Sequence, residues 1–296
     1  MIKNSMMKKI LLTGATGFLG SHLLKAIYKK YHCIILYRNR SSFARINALL
    51  PFVTAYNIDK IPLFSIFEQE PFDAIIHCAT NYGRKHCDHV DILEANLIFP
   101  LKLLGLCEQY NIRTFLNTDT ILDKRINDYT LSKQHFREWL NVFAEKMVCV
   151  NLALEHFYGP FDDPTKFVSF IIQAFLTEKP RLELTLGEQK RDFIYIGDVI
   201  EAFKKIIEIS LQKSRGLFNY ELGSGQTVSI RELILKIQSI IGNHTTELAF
   251  GALPYRSHEI MESKVNLTAI TDLGWAPKVS LSEGLLQTIN LERNHL

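Results

Sequence analysis

Tyr129 and Lys133 stand four residues apart in Tyr129-Thr130-Leu131-Ser132-Lys133, a spacing that sets a phenol beside an ammonium on one face of a helix. The Lys133 charge favours tyrosinate and is expected to draw the phenol down from about 10 towards the working range of an acid/base catalyst. The spacing alone is not diagnostic, because Tyr56-x-x-x-Lys60 repeats it. Context separates the two: Tyr56 ends an apolar run with Pro62 close behind, whereas Tyr129 opens a long amphipathic segment. Just upstream, Asn117-Thr118-Asp119-Thr120 is the polar end of another apolar run. A hydroxyl there can share a carbonyl oxygen with Tyr129, the donor pair that carbonyl reduction requires, and Thr118 is the candidate.

Such a reduction needs a hydride source, and the start of the chain supplies a place for one. Thr13-Gly14-Ala15-Thr16-Gly17-Phe18-Leu19-Gly20 is a G-x-x-G-x-x-G between an apolar run and an amphipathic one. Glycines placed so let the backbone turn tightly, approach a pyrophosphate and present helix N-terminal N–H groups to its charge. At the end of the second apolar run, a carboxylate would be expected to bind an adenosine ribose 2′-hydroxyl. Tyr37-Arg38-Asn39-Arg40 offers two guanidiniums there instead. They suit a 2′-phosphate, so NADP(H) is expected over NAD(H).

The elements that must position these residues follow from the alternation of short apolar runs with longer amphipathic segments, the pattern of a doubly wound parallel sheet. Strands are expected at Lys9–Leu12, Cys33–Tyr37, Asp73–Cys78, Thr114–Asn117 and Val148–Leu154. Helices are expected at Leu19–Lys30, Val90–Tyr110, bent at Pro100, and Tyr129–Met147. The clean alternation stops at Tyr158-Gly159-Pro160, which marks a boundary near residue 155. Residues 1–155, with 192–222 returning to them, form the expected first domain, and 156–191 with 223–296 the second. Ser229-x-x-Glu232 and Ser280-x-x-Glu283 are capping boxes announcing two later helices.

Composition narrows the partners. With 296 residues, 47% hydrophobic and 22% charged, the chain has the make-up of a folded α/β protein. Its 34 basic and 31 acidic residues are dispersed and give a charge of only +3, which argues against nucleic acid. Ile10-Leu11-Leu12 is too short for a signal sequence, and the apolar stretch Phe167–Leu176 falls well short of the roughly 20 residues of a membrane span. Five cysteines without a Cys-x-x-Cys pair fit reduced thiols in a cytoplasm. His86-Cys87-Asp88-His89 lacks a second ligand pair, so no metal site is expected.

Taken together, Thr13-Gly14-x-x-Gly17-x-x-Gly20, Ile76-His77-Cys78-Ala79-Thr80, Asn96, Thr118, Tyr129-x-x-x-Lys133, Phe157-Tyr158-Gly159-Pro160, Arg191-Asp192-Phe193-Ile194-Tyr195 and Gly223-Ser224-Gly225 resemble the extended short-chain dehydrogenases/reductases across essentially the whole chain. Closer still, Asn117-Thr118-Asp119-Thr120, Leu154-Glu155-His156-Phe157, Phe250-Gly251-Ala252 and His258-Glu259-Ile260-Met261 resemble reductases of nucleotide-linked 4-keto-deoxyhexoses. The resemblance implies a Rossmann doubly wound parallel sheet with a smaller α/β C-terminal substrate-binding lobe. It implies that Gly14, Thr16, Gly17, Phe18, Leu19, Arg38, Asn39, Arg40, Asn57, Ile58, Cys78, Ala79, Thr80, Asn96, Tyr129 and Lys133 line the cofactor. On the substrate side it implies Tyr82, Thr118, Asp119, Thr120, His156, Lys166, Phe167, Arg191 and Arg256, with a homodimer formed through a four-helix bundle.

Departures from the family sharpen the expectation. Dehydratases of the family carry Thr-Asp-Glu where this chain has Thr118-Asp119-Thr120, so the acid/base pair for eliminating water is incomplete. Epimerases keep NAD and a carboxylate at the second strand end, where this chain has Arg38. The implied activity is NADPH-dependent reduction at C4 for a bacterial surface polysaccharide. Its rivals are a nucleotide-sugar 4-epimerase and a non-catalytic NADP-binding sensor.

Overall fold

The computed structural model describes residues 7–84, 87–256 and 259–294; His86 and His258, named above, lie outside them. The first half alternates β1 (Lys9–Thr13), α1 (Phe18–Ile27), β2 (His32–Tyr37), β3 (Thr54–Asn57), α2 (Leu63–Gln69), β4 (Ala74–His77), α3 (His89–Leu93), α4 (Phe99–Gln109), β5 (Thr114–Thr120), α5 (Asp128–Ala144) and β6 (Val148–Leu154). There follow β7 (His156–Tyr158), α6 (Phe167–Leu176), β8 (Arg181–Leu184), β9 (Lys190–Tyr195), α7 (Ile196–Ser210), β10 (Gly216–Leu222), β11 (Thr227–Ser229), α8 (Ile230–Ile241), β12 (Glu247–Phe250), α9 (Thr268–Thr271) and α10 (Leu281–Arg293). The chain divides into two compact units, Met1–Ala153 with Ala202–Tyr220, and Leu154–Glu201 with Glu221–Leu296.

The first unit is built on a seven-stranded sheet in the order β10-β6-β5-β4-β1-β2-β3. Every pairing from β3 through β2, β1 and β4 to β5 is parallel. Ile10, Leu11 and Leu12 are wholly buried, as a strand covered by helices on both faces requires. Leu11, Ile34, Ile75 and Phe115 from the strands pack with Leu103, Leu104, Phe136 and Leu140 from the helices in one core. The expected helix Val90–Tyr110 is more than bent. It is divided into α3, a π-helical turn Glu94–Ile98, and α4 with Pro100 in its first turn. Proline has no N–H for the carbonyl four residues back, and the wider turn resets the ladder just before it. The start of α5 is fixed by a capping box between Asn127 and Thr130.

The second unit has a three-stranded sheet, β11-β9-β7, and a β12-β8 pair. Its helices α6, α8 and α10 bury Ile171, Phe175, Leu233, Ile237 and Leu285 in a second core. Both capping boxes read from the sequence are formed, Ser229 with Glu232 and Ser280 with Glu283. The segment 192–222, expected to return to the first domain, is shared. β9 pairs with β7 and β11 in the second unit, and Ala202–Tyr220 goes with the first. Asp192 accounts for this: its buried carboxylate accepts the backbone N–H groups of Ser224 and Gly225, each at 2.7 Å, and ties β9 to the Gly223-Ser224-Gly225 turn.

Candidate active site

The glycine loop has no room for side chains. Gly14 lies in the left-handed region (φ +70°), and a Cβ there would sit 2.5 Å from the Ala79 nitrogen; one on Gly20 would sit 2.1 Å from the Gly14 oxygen. Gly17 donates to the Gly14 carbonyl at 2.9 Å and precedes α1 without a side-chain cap, so no side chain covers the amides of the first turn. Phe18 and Leu19 are buried and offer a cofactor only backbone N–H groups; Thr16 is half-buried. The Thr13 hydroxyl accepts from Ala79 N–H at 3.2 Å and meets His77 Nδ1 at 2.8 Å, tying the end of β4 to the loop. Burial pushes the Cys78 thiol up to about 12, so it stays neutral.

At the end of β2 the structure adds a group that the sequence reading missed. Asn39 N–H donates to Asp59 Oδ2 at 2.7 Å, and Asn57 links the two, donating to Asn39 Oδ1 at 2.9 Å and accepting from Asp59 N–H at 3.0 Å. A carboxylate is therefore present where none was expected, delivered by the turn after β3. Arg38 is half-buried, its guanidinium 5.9 Å from the Phe99 ring, while Asn39 and Arg40 are exposed. Ile58 is half-buried, and its N–H donates to the Tyr37 carbonyl at 3.0 Å.

Asn96 was expected to touch the cofactor, but every hydrogen-bonding position of its amide is taken by protein. It donates to the Asn81 carbonyl (2.8 Å) and to Ser132 Oγ (3.0 Å), and accepts from Thr80 Oγ1 (3.0 Å) and Asn81 N–H (2.8 Å). Fully buried on the π turn, it holds the loop after β4 against α5. The Thr80 hydroxyl proton is committed to the same clasp.

Lys133 is 2% exposed, and among the described residues its Nζ has no hydrogen-bond partner. An ammonium in such a place is costly, and burial lowers its pKa against the pull of Asp119. The hydroxyls of a nicotinamide ribose are the acceptors it lacks, so this buried donor and the bare glycine loop together fit a nicotinamide dinucleotide. Tyr129 packs its ring 5.0 Å from that of Tyr82, over which the Arg84 guanidinium lies at 5.2 Å. Burial first, then Tyr82 and Asp119, push the Tyr129 phenol well above its ordinary value, and Thr120 and Arg84 act against them. The expected lowering by Lys133 is thus overridden by desolvation. The outcome is a neutral phenol, the form a proton donor needs.

The three polar residues closing β5 have separate fates. β4 ends at His77, and its carbonyl receives the Thr118 hydroxyl at 2.9 Å, so the proton expected to hold a substrate oxygen is spent on the backbone. Two residues on, β5 has run past the end of β4, and Thr120 Oγ1 accepts from Leu122 N–H at 3.2 Å. Asp119, expected to face substrate, is sealed inside. Its side chain is 0% exposed; Oδ2 pairs with Arg137 Nε at 2.6 Å and accepts from Asn151 Nδ2 at 2.8 Å, while Oδ1 accepts from Thr120 N–H at 2.8 Å. Asn151 in turn accepts from Asn117 Nδ2 at 2.8 Å. Arg137 follows Tyr129 and Lys133 at the same four-residue interval along α5 and escaped the sequence reading.

Within the second unit, two of the expected cations already hold carboxylates. Lys166 pairs with Asp162 at 3.0 Å and lies 4.4 Å from the Phe157 ring. Arg191, 11% exposed, pairs with Glu259 and donates to the Lys190 carbonyl at 2.8 Å. His156 contacts the buried Glu155 carboxylate at 3.1 Å, whose other oxygen accepts from Ser263. Phe167 is 36% exposed, and Arg256 is exposed. Among the described residues no three His, Cys, Asp or Glu side chains converge as for a metal ion, and no helix is long and apolar enough to cross a membrane.

The chain is 33% identical to CDP-abequose synthase of Salmonella muenchen, over 96% of this chain and 98% of that one. It is 33% identical to the protein of the same name from Salmonella typhimurium, over 93% and 95%, and 23% identical to a putative UDP-glucose 4-epimerase of Methanocaldococcus jannaschii, over 97% and 99%. Among solved structures, the UDP-glucose 4-epimerase of Thermus thermophilus in complex with NAD superposes with a TM-score of 0.83 at 23% identity, covering 97% of this chain and 100% of that one. Residues 10–220, spanning the glycine loop, the Tyr129 and Lys133 pair and all but the last two residues of β10, match the family model described as NAD dependent epimerase/dehydratase, and the chain belongs to that family.

Proposed function

We propose that the protein reduces the C4 ketone of a nucleotide-linked 4-keto-deoxyhexose, of the kind of CDP-4-keto-3,6-dideoxyglucose, with NADPH, in the synthesis of a surface polysaccharide. The observation that carries this is a half-buried Tyr129, its phenol held well above its ordinary value, on the same face of α5 as a Lys133 ammonium that has no hydrogen-bond partner among the described residues. The Asp119 that an elimination would call upon is tied to Arg137 and Asn151. The two relatives named CDP-abequose synthase support the same reading.

When bound, the nicotinamide cofactor supplies a hydride for C4. Tyr129 gives its phenolic proton to the C4 oxygen, and Lys133 binds the ribose hydroxyls and stabilises the phenolate left behind. Gly14, Gly17 and Gly20 hold the pyrophosphate, and Arg38 and Arg40 attract a 2′-phosphate. Tyr82 and His156 contact the sugar nucleotide. Phe167 stacks on the base, and Lys166, Arg191 and Arg256 take the diphosphate, the first two on exchange from Asp162 and Glu259. The exposed Val90, Leu93, Leu131, Trp139 and Val142 of α3 and α5 suit a homodimeric helix bundle, and five free thiols suit a cytoplasmic enzyme.

One observation favours the 4-epimerase as second reading: the Asp59 carboxylate at the end of β2 suits an unphosphorylated ribose and a retained NAD. Purified protein mixed with NADPH and enzymatically generated CDP-4-keto-3,6-dideoxyglucose separates the two. Stoichiometric loss of nicotinamide absorbance, absent in Tyr129→Phe, is expected. Protein that carries bound NAD and consumes no NADPH would establish the epimerase.

A further inference from the structure

From the start of β7 we infer that Ser263 and Glu155 are positioning residues that fix the proton of the His156 imidazole on Nδ1. Nε2 then stands as an acceptor, and what it takes is a hydroxyl group of the bound nucleotide sugar. The ligand half of this rests on reading the second unit as the sugar-nucleotide site, and the tautomer rests on the structure alone. Glu155 is the single residue between β6 and β7, and its side chain is 0% exposed. Oε2 lies 3.1 Å from His156 Nδ1, and Oε1 accepts from the Ser263 hydroxyl. A carboxylate offers only acceptors, so the hydrogen of the imidazole contact is on Nδ1, and a neutral ring then carries its lone pair at Nε2.

Each member of this relay is also held by bonds outside it. Glu155 N–H donates to the Leu222 carbonyl at 2.9 Å, and the Glu155 carbonyl accepts from Phe157 N–H at 2.8 Å. Ser263 N–H donates to the Lys190 carbonyl at 3.1 Å, and Lys190 N–H to the Met261 carbonyl at 2.8 Å. Backbone bonds to β9 thus bring the serine hydroxyl up to the carboxylate. His156 is the register partner of Phe193 on β9, and the two rings pack with centroids 5.6 Å apart. The imidazole plane is fixed from one side by an aromatic ring and along its edge by Glu155. One third of the side chain, 33%, stays exposed, and among the described residues His156 hydrogen-bonds only through Nδ1.

The tautomer decides what the ring can recognise. Diphosphate oxygens only accept, so they call for an Nε2–H, which this imidazole offers only after taking a second proton. A hydroxyl donates, and it meets the Nε2 lone pair with no change of protonation. The charges around the ring leave the anion to others: Arg191, two residues from Phe193 on β9, is paired with Glu259, and Lys166, over the ring of the adjacent Phe157, with Asp162. Those two cations can exchange a carboxylate for a phosphate, whereas Glu155 is held by Ser263 and stays behind His156. An acceptor set this firmly favours ligands that carry the hydroxyl over analogues without it, because the lone pair is otherwise left unpaired once ligand covers it.

Imidazole nitrogen resonances test this. In protein labelled with 15N-histidine, the His156 signals are assigned by their loss in His156→Gln. At about pH 8, where histidine is ordinarily neutral, the free protein should show a hydrogen on Nδ1 and none on Nε2, and Glu155→Met should lose that pattern. A hydrogen on Nε2 in the wild type would overturn the inference. Added CDP-glucose should keep the tautomer and shift the Nε2 resonance as a donor arrives; an unmoved Nε2, or an imidazolium protonated at both nitrogens, would overturn it. The same shift with CDP, which lacks the hexose, supports a ribose hydroxyl, and a shift with CDP-glucose alone supports a hexose hydroxyl. By calorimetry, Glu155→Met should weaken CDP-glucose by about tenfold, the loss of one hydrogen bond, and an unchanged affinity would overturn the positioning role. A wild type that binds neither CDP-glucose nor UDP-glucose refutes the sugar-nucleotide reading and the hydroxyl ligand with it, while the tautomer of the free protein still decides the relay.

Discussion

Arg137→Met is the most informative single perturbation of this fold. Methionine keeps the packing of the arginine stem and removes the cation from a carboxylate whose side chain is 0% exposed. Breaking a buried ion pair from one side costs about 3–5 kcal/mol. Two features reduce that here: the Arg137 side chain is 33% exposed, and Asp119 keeps its bonds from Asn151 and Thr120. The expected loss is therefore about 2–3 kcal/mol, which includes about 1 kcal/mol for the bond to the Thr120 carbonyl. Of the two tryptophans, Trp139 lies in the first unit on α5, two residues from Arg137, and Trp275 lies in the second. In a Trp275→Phe background, urea unfolding followed by fluorescence thus reports on the unit that carries the change. With a urea slope of about 2–3 kcal/mol per M, the midpoint should fall by about 1 M. Adding Asp119→Asn, which removes the stranded charge while keeping an acceptor for Asn151, should recover about 1–2 kcal/mol. A midpoint within about 0.2 M of wild type for Arg137→Met, or a double variant weaker than the sum of the singles, would refute the assignment of a buried clamp.

Three further outcomes are expected. Lys133→Met should raise the stability of the free protein by about 1–3 kcal/mol, because it removes a buried ammonium that has no acceptor among the described residues, while NADPH binding measured by fluorescence is lost; a destabilised variant would mean that the ammonium has a protein partner. Asp59→Asn should raise the preference for NADPH over NADH by about tenfold in kcat/KM, since it removes one charge beside the place proposed for the 2′-phosphate; no change would separate Asp59 from that site. Burial and the Lys133 charge hold the His77 imidazole well below its ordinary value, so below about pH 6.5 the unfolded chain takes up a proton that the folded one refuses. Stability should therefore fall with acidification, by about 1.4 kcal/mol from His77 alone between about pH 7.5 and 5.5, and urea titrations of His77→Gln at the two pH values should lack that increment.

What could be read from the residues alone was what depends on short spacing. The glycine loop, the Tyr129 and Lys133 pair and the two capping boxes each lie within a few residues, where the geometry of one turn or one helix face decides. The alternation of apolar runs identified the parallel sheet because its inner strands are buried on both faces. What escaped depends on where distant elements end. Nothing local distinguishes Thr118 from Thr120, two residues apart on one strand; the difference arises because β4 stops at His77. Asp59 acts 20 residues from Asn39, a separation that no local spacing links. The direction of the Tyr129 shift turned on how deeply the phenol is buried, which spacing does not encode, and Asn96 could be placed on its helix without revealing that four protein groups exhaust it.

The π turn at Glu94–Ile98 has a bearing on how this lineage can change. A π turn spends one residue more than an α turn over the same rise, and that surplus aligns Asn96 with Asn81 and Ser132 while α4 keeps its own seat in the core. Removing a single residue between Asn96 and Pro100 would let the helix run on smoothly, yet it would swing everything before the cut by about 100° around the axis and carry the Asn96 amide away from the loop it clasps. Substitutions there are a matter of degree, whereas a change in residue count is all or nothing. Insertions and deletions among descendants of this chain should therefore collect in surface connections and spare this stretch, making its length a more durable inheritance than most of its side chains.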